Sequence, residues 1–432
     1  MYFYSVQIFL IVFYVALFLW LFRQLQLARW VGLPVGVLFA LYSLNVIGSE
    51  LNLWYHLQDY AHSDAAFYFE ESRRALSRLA AQPGSLLNEL FFNWGDWHGR
   101  LNFLNPANTP YWSNLGSLFN GKFMLLATAL SMGHLMVTPV FYTAAFFIGQ
   151  LMLYKTLCAL QPSRKGVLLV AVFLLPSVLF WCQGVHKDGW MMMAFGVLVY
   201  GMHGWVKSRS WHYLLMLVAA ILFSLLVRYF YILLLLPALA MWWFAQGSAS
   251  PVTVFGIGYL FIFLLLMVCS LWVPVLNPMP LLLSKQAAFV ALQGRTSFEL
   301  PALTTQVWSL FEALPQALWH VFITPPVNNN ALLAQGVVCF ESVLVLLCWG
   351  WMLWRMPVKV WNEPLYLFVV AYGITAYILI GVTIPNTGAL ARYRSEYMMM
   401  ITAVLASGSG WQALDSAERF LLRIISPSVN RI

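Results

Sequence analysis

The chain has 432 residues, of which 62% are hydrophobic and 17% aromatic, but only 9% are charged, with a formal net charge of +8. A water-soluble domain carries about 25% charged residues, so this composition and a mean hydropathy of +0.77 exclude an ordinary soluble fold. They predict an all-α polytopic membrane protein; a transmembrane barrel would instead show short alternating segments. The surplus of Lys and Arg is what loops on the cytoplasmic side of a membrane collect, and nothing in it calls for a nucleic acid.

A crossing needs about 20 apolar residues. Eleven stretches meet that need: 3–22, 30–49, 138–158, 166–182, 189–206, 212–227, 230–246, 252–273, 331–353, 364–382 and 395–412. The first has no basic leader and no small-residue cleavage site, so it reads as a retained helix. A short apolar stretch at 123–133 reads as interfacial or dipping in, and "RYFY" interrupts 212–246, as in two half-depth helices or a tight hairpin. The chain 1–432 is read as a single integral membrane domain with two long loops, 50–137 and 274–330.

Basic residues set the orientation. Arg23 and Arg29, Arg164 and Lys165, Lys207 and Arg209, Arg355 and Lys359, and Arg419, Arg423 and Arg431 all fall on one side if the N-terminus is outside and the C-terminus inside. That side carries three acids, Glu363, Asp415 and Glu418. The two long loops and the turns 183–188, 228–229 and 383–394 then face outward.

The first long loop contains "HSDAAFYFEESRRALSRLAAQ", in which Phe69, Leu76, Leu79 and Ala80 recur at helical spacing and Glu70 and Arg74 stand four apart. This predicts an amphipathic helix on the outer leaflet. Ser63 or Asp64 would cap it, or Asp64 would project from its start as a general base. Glu70 and Glu71 are secondary candidates. Further on, "NWGDWHGRLNF" sets Asp96 and His98 among tryptophans, a pattern that suits sugar stacking or an interfacial aromatic belt.

The turn "GVHKDG" places His186, Lys187 and Asp188 between two apolar runs. It reads as a solvated turn, as an ion pair with Asp188 at the N-cap of the next helix, or as a ligand grip. Arg228 stands between "LFSLLV" and "YFYILLLLP" and cannot shed its charge. It must snorkel outward, pair with a carboxylate or hold an anion. The second long loop again shows helical apolar spacing, expected to lie along the membrane and roof the site. Glu341 is an acid deep in a span that needs a partner. Near the C-terminus "IPNTGALARYRSE" supplies Asn386, Arg392 and Arg394; the two arginines point to different sides if helical and share a face if extended.

The five cysteines are scattered without CxxC spacing, so neither a disulfide framework nor a zinc site is suggested. Walker A, GxGxxG, HExxH and GxSxG patterns are absent. An activated substrate must therefore arrive through the membrane or on a lipid.

An outward acid heading an amphipathic helix in the first large loop resembles the plan of the polyprenyl-phosphate-sugar-dependent glycosyltransferases with the C-type membrane fold (GT-C-like). "PSVLFWCQGVHKDGW", Arg228 and "PNTGALARYR" are also similar to bacterial multi-pass proteins of that group and to polysaccharide polymerases. The resemblance implies that Asp64 is the catalytic acid. It also implies that His186, Lys187, Asp188, Arg228, Asn386, Arg392 and Arg394 meet the lipid phosphate and sugar. In the familiar enzymes the acid follows the first span, often as a pair; here it follows the second and two alanines come after it.

The expected protein is thus a glycosyltransferase of the bacterial inner membrane, moving a sugar from a polyprenyl-phosphate donor to a surface-glycan or lipid-linked acceptor on the extracytoplasmic face. No cofactor is certain, and a divalent metal ion is compatible. The alternatives are an O-antigen or exopolysaccharide polymerase or ligase, and a transporter or flippase; the last should show charged, broken helices near the midplane in repeated halves.

Overall fold

Proline, glycine and the supply of apolar residues decide where the helices of this chain start and stop. The structure is a computed structural model describing residues 2–58, 63–85, 109–272, 277–291, 296–323 and 332–425. Among these residues everything regular is helical, with one isolated bridge between Ser297 and Asn386. Among the described residues seven stretches are long and apolar enough to cross a membrane: Ser5–Gln24, Val35–Leu57, Leu135–Leu160, Trp211–Ala245, Pro251–Ser270, Gly336–Trp354 and Pro364–Thr383. The chain separates into two compact units, one built of residues 1–156, 173–230 and 423–432, the other of 157–172 and 231–422.

The first unit contains α1 (Tyr2–Gln24), α2 (Leu27–Val31), α3 (Val35–Leu57), α4 (Asp64–Ala81), α5 (Thr109–Leu130) and most of α6 (Thr138–Leu160). The chain leaves it through α7 (Lys165–Phe173) and re-enters for α8 (Pro176–Trp181), α9 (Lys187–Ser208) and α10 (Trp211–Arg228). The expected span at 166–182 is two short helices. Pro176 opens α8 at its first position, and a residue preceding proline is pushed out of the helical region, as the extended Leu175 is. Most of the stretch 123–133 is the end of the 22-residue helix α5.

α9 has the length of a span but not the apolarity, since Lys187, Asp188, His203 and Lys207 lie in it. It packs on α10 along its length, and on α6 through glycines: a Cβ on Gly196 would stand 2.0 Å from the Gly149 carbonyl oxygen. α4 also departs from expectation. Its buried stripe is Ala65, Ala66, Tyr68, Phe69, Ser72 and Ala75, set against α5 and α3, so the apolar face meets protein. Its ion pairs run at three-residue steps, Glu70–Arg73 at 3.8 Å and Glu71–Arg74 at 2.6 Å.

The second unit contains α11 (Ile232–Ala245), α12 (Pro251–Trp272), α13 (Met279–Ala291), α14 (Trp308–Ile323), α15 (Leu332–Trp354), α16 (Pro364–Thr383), α17 (Thr387–Gly408) and α18 (Gln412–Ile425). "RYFY" proves to be a single 3-10 turn, Tyr229–Tyr231, between α10 and α11. α16 is the hub, touching α11, α12, α13, α14 and α17. α13, the segment at Leu303 and Val307, and α14 form an apolar cluster on Val382 near the end of α16. α17 has a span's length but carries Arg392, Arg394 and Glu396, and its side chains from Arg394 to Gly408 are all buried in protein.

Candidate functional site

α9 and α10 are joined through Arg209, which closes α9 in the left-handed region at φ 52°. Their lengths of 22 and 18 residues are similar, so the start of α9 returns against the end of α10. There Arg228 donates through Nη2 to Asp188 Oδ1 at 2.5 Å, both side chains buried. Each charge sits on the helix end whose dipole favours it, the acid at an N-terminus and the base at a C-terminus. The N-cap of α9 is His186, with Asp188 second in the helix, so the expected capping role gives way to the ion pair. Arg228 thus takes the carboxylate option rather than snorkelling.

Lys187 is half-buried and donates through Nζ to Ser117 Oγ on α5 at 2.6 Å. One helical turn into α9, Trp190 donates to Asn120 Oδ1 at 3.0 Å, and the Asn120 carbonyl accepts from the Tyr142 hydroxyl at 3.0 Å. Gly189 is needed beside it: a Cβ there would lie 2.1 Å from the Phe146 ring.

The other wall is a polar stripe on α3, which sequence reasoning missed by ending that span at 49. Asn45, Ser49, Asn52 and His56 recur at steps of four, three and four residues, on one face of a helix. Ser49 Oγ donates to the Gln183 carbonyl at 2.5 Å, Asn52 Oδ1 lies 3.1 Å from His186 Nε2, and the His56 and His186 rings stand 4.7 Å apart. Gly184 lets the turn settle on this stripe, since a Cβ there would sit 2.2 Å from Asn52 Oδ1. The Nδ2 amide groups of Asn52 and Asn120 are buried and have no hydrogen-bond partner among the described residues. The cluster therefore combines two cations, one anion and buried donors at one end of the first unit's helices.

Among the described residues, the remaining expected ones of the first unit lie on α4. Asp64 is the exposed first residue of α4, with Ser63 capping the helix from Ala66 N at 3.4 Å. Glu70 and Glu71 are engaged in the surface pairs described above. Asp96 and His98 lie outside the described residues.

In the second unit Asn386 caps α17, accepting from Ala389 N at 3.0 Å and from Thr296 Oγ1 at 3.1 Å. Arg392 is half-buried, its guanidinium 5.1 Å from the Tyr393 ring. Arg394 is buried, and donates to the Val321 carbonyl at 2.7 Å and to Ser342 Oγ. α17 being helical, the two arginines do point apart. The cavity beside Arg394 measures ≈ 10 Å³, room for about one water and too small for a sugar. Glu341 lies within electrostatic reach of Arg394. Among the described residues no group of three His, Cys, Asp or Glu side chains is placed to hold a metal ion.

Fold and site together define a multi-pass helical membrane protein with a buried charged cluster. No known family, curated protein or solved structure matches the chain.

Proposed function

We propose that this chain is a glycosyltransferase of the bacterial cytoplasmic membrane, with about eleven crossings in a GT-C-like plan, its N-terminus outside and its C-terminus inside. It takes a polyprenyl-phosphate-linked sugar at the extracytoplasmic end of the first unit. The observation that carries this reading is the polar cluster at the start of α9, where Lys187 and the Arg228–Asp188 pair stand with the buried amides of Asn52 and Asn120. Cationic side chains with amide donors in a low-dielectric setting suit the single phosphate of a lipid-linked sugar.

In the reaction the acceptor hydroxyl oxygen bonds to the anomeric carbon and the bond from that carbon to the phosphate oxygen breaks. Polyprenyl phosphate leaves with the electron pair, and the hydroxyl proton passes to the Asp64 carboxylate. Lys187 meets the charge that grows on the phosphate; Arg228, tied to Asp188, positions Lys187 at the start of α9.

The test uses membranes containing the full chain and a panel of polyprenyl-phosphate sugars radiolabelled in the sugar. Lys187→Ala is expected to lower transfer about 10²-fold, in the range for one lost donor, and Asp64→Asn by about 10²–10⁴-fold. No transfer from any donor, or wild-type rates in both variants, would sink the proposal.

Transport is the second reading, favoured by the break between α7 and α8 and by the ionisable groups Glu341, Arg394 and Glu396 within α15 and α17. Solute flux in liposomes that survives Asp64→Asn and Lys187→Ala would select it. A polymerase or ligase would lean on the arginines of α17, and Arg394 is already committed to Val321 and Ser342.

A further inference from the structure

α15 and α16 are both long and apolar enough to cross a bilayer, and nine residues, 355–363, join them. A connection that short between two crossings lies at the level of the lipid headgroups. The segment that leads into α18 is fastened onto it: Gly410 N donates to the Arg355 carbonyl at 3.0 Å, and Gly408, the last residue of α17, packs so closely on Val360 that a Cβ would lie 2.5 Å from it. α18 is held in turn to the start of α7. Arg164 pairs with Asp415 at 2.5 Å and donates to the Ser409 carbonyl at 2.9 Å, while the Glu418 carboxylate accepts from Gly166 N and Val167 N at 2.9 and 2.8 Å.

These bonds sort the charges. Asp415 faces Arg164, Glu418 faces the α7 N-terminus, and Glu363 accepts from Leu365 N at 3.3 Å. Every acid at this end has a partner within the protein. Lys165, Arg355, Lys359 and Arg419 are exposed. Interleaved with them are apolar side chains turned outward, Trp354 at 74% exposure, Val358 at 81% and Phe420 at 63%. The Arg355 guanidinium lies 5.5 and 5.6 Å from the Trp351 and Trp354 rings, so its charge sits beside hydrocarbon.

We infer that this end of the second unit, formed by the α15–α16 connection, the start of α7 and the outer face of α18, is a binding surface for anionic phospholipid. Phosphates pair with Arg355, Lys359 and Arg419 while Trp354, Val358 and Phe420 enter the acyl boundary. An acidic protein or a nucleic acid would match the charge but leave the outward aromatic and aliphatic groups in water; a bilayer surface satisfies both. The inference is independent of the transferase reading.

The test reconstitutes the full chain in nanodiscs of phosphatidylcholine mixed with phosphatidylglycerol, extracts it mildly, and counts retained lipids by native mass spectrometry. The wild type is expected to retain phosphatidylglycerol above its bulk share. Because each cation near an anionic surface contributes roughly a fivefold preference, the R355Q/K359Q/R419Q variant should lose that preference by about 10²-fold. The R73Q/R74Q/R78Q variant removes the same charge from α4 and should keep it. If the triple variant fails to fold, R419Q alone should lower enrichment about fivefold. The inference is overturned if the wild type retains lipids in their bulk ratio, if the α4 control loses as much, or if R355Q/K359Q/R419Q loses nothing. A dimer that forms without phosphatidylglycerol and vanishes in that variant overturns it in favour of a second copy of the chain.

Discussion

Asp188 and Arg228 show how strongly a single buried charge constrains its surroundings. Neither side chain reaches water, and each compensates the other's charge at 2.5 Å. Removing one partner leaves an uncompensated charge, at a cost of about 3–5 kcal/mol. Asp188→Asn and Arg228→Met are each expected to lower unfolding stability in detergent by that much, and the double variant by clearly less than the sum. Strictly additive losses would mean that the pair does not act as a unit. The arginine was legible as costly in the sequence, because an obligate cation stood between two apolar runs. That Asp188 would be its partner was not, since the two are forty residues apart and nothing local links them.

Helix contacts in the first unit depend on the absence of side chains. Gly196 on α9 meets Gly149 on α6 so closely that Gly196→Ala must push the helices apart, at about 1–3 kcal/mol. Gly256 on α12 has nothing within 4 Å of its would-be Cβ, so Gly256→Ala should leave stability unchanged or raise it by up to about 1 kcal/mol. Melting curves of the two variants side by side check this, and equal losses would contradict it.

The start of α16 responds to pH. Burial pushes the Glu363 carboxyl up, with the bond from Leu365 N opposing. The folded chain therefore keeps this proton to higher pH than the unfolded chain. Its contribution to stability is complete below the ordinary carboxylate value and is lost as pH rises through the raised one. Glu363→Gln should flatten that part of the stability–pH curve; an unchanged slope would assign the effect elsewhere. Helix existence was readable from apolar run length. The break at Pro176 and the merging of "RYFY" into one turn were not, because run length says nothing about where backbone hydrogen bonds stop.

At the scale of the molecule, apolar groups that face outward decide the environment. α12 alone exposes Val252, Ile257, Leu260, Phe261, Leu264, Leu265, Val268 and Trp272, a surface far larger than water-soluble monomers leave uncovered and one suited to lipid. Sidedness is testable through the loops. On a background without the native cysteines, Ser163→Cys, Ser208→Cys and Asn362→Cys are each expected to react with an impermeant maleimide only after the membrane is opened. Asp64→Cys should react in intact cells. Reversed labelling would invert the proposed orientation and remove the transferase site from the extracytoplasmic face.

What the sequence by itself determined was the solvent. An apolar composition with recurring 20-residue runs leaves a helical membrane protein as the only way to satisfy the backbone, because helices close their hydrogen bonds internally. It also marked His186, Lys187, Asp188 and Arg228 as residues too costly to be incidental. Only the tertiary structure decided what those charges do. α3 turns Ser49, Asn52 and His56 to the 183–186 turn, and the α9–α10 hairpin folds Arg228 back on Asp188. Pairing energy depends on distance in three dimensions, and separation along the chain does not encode it.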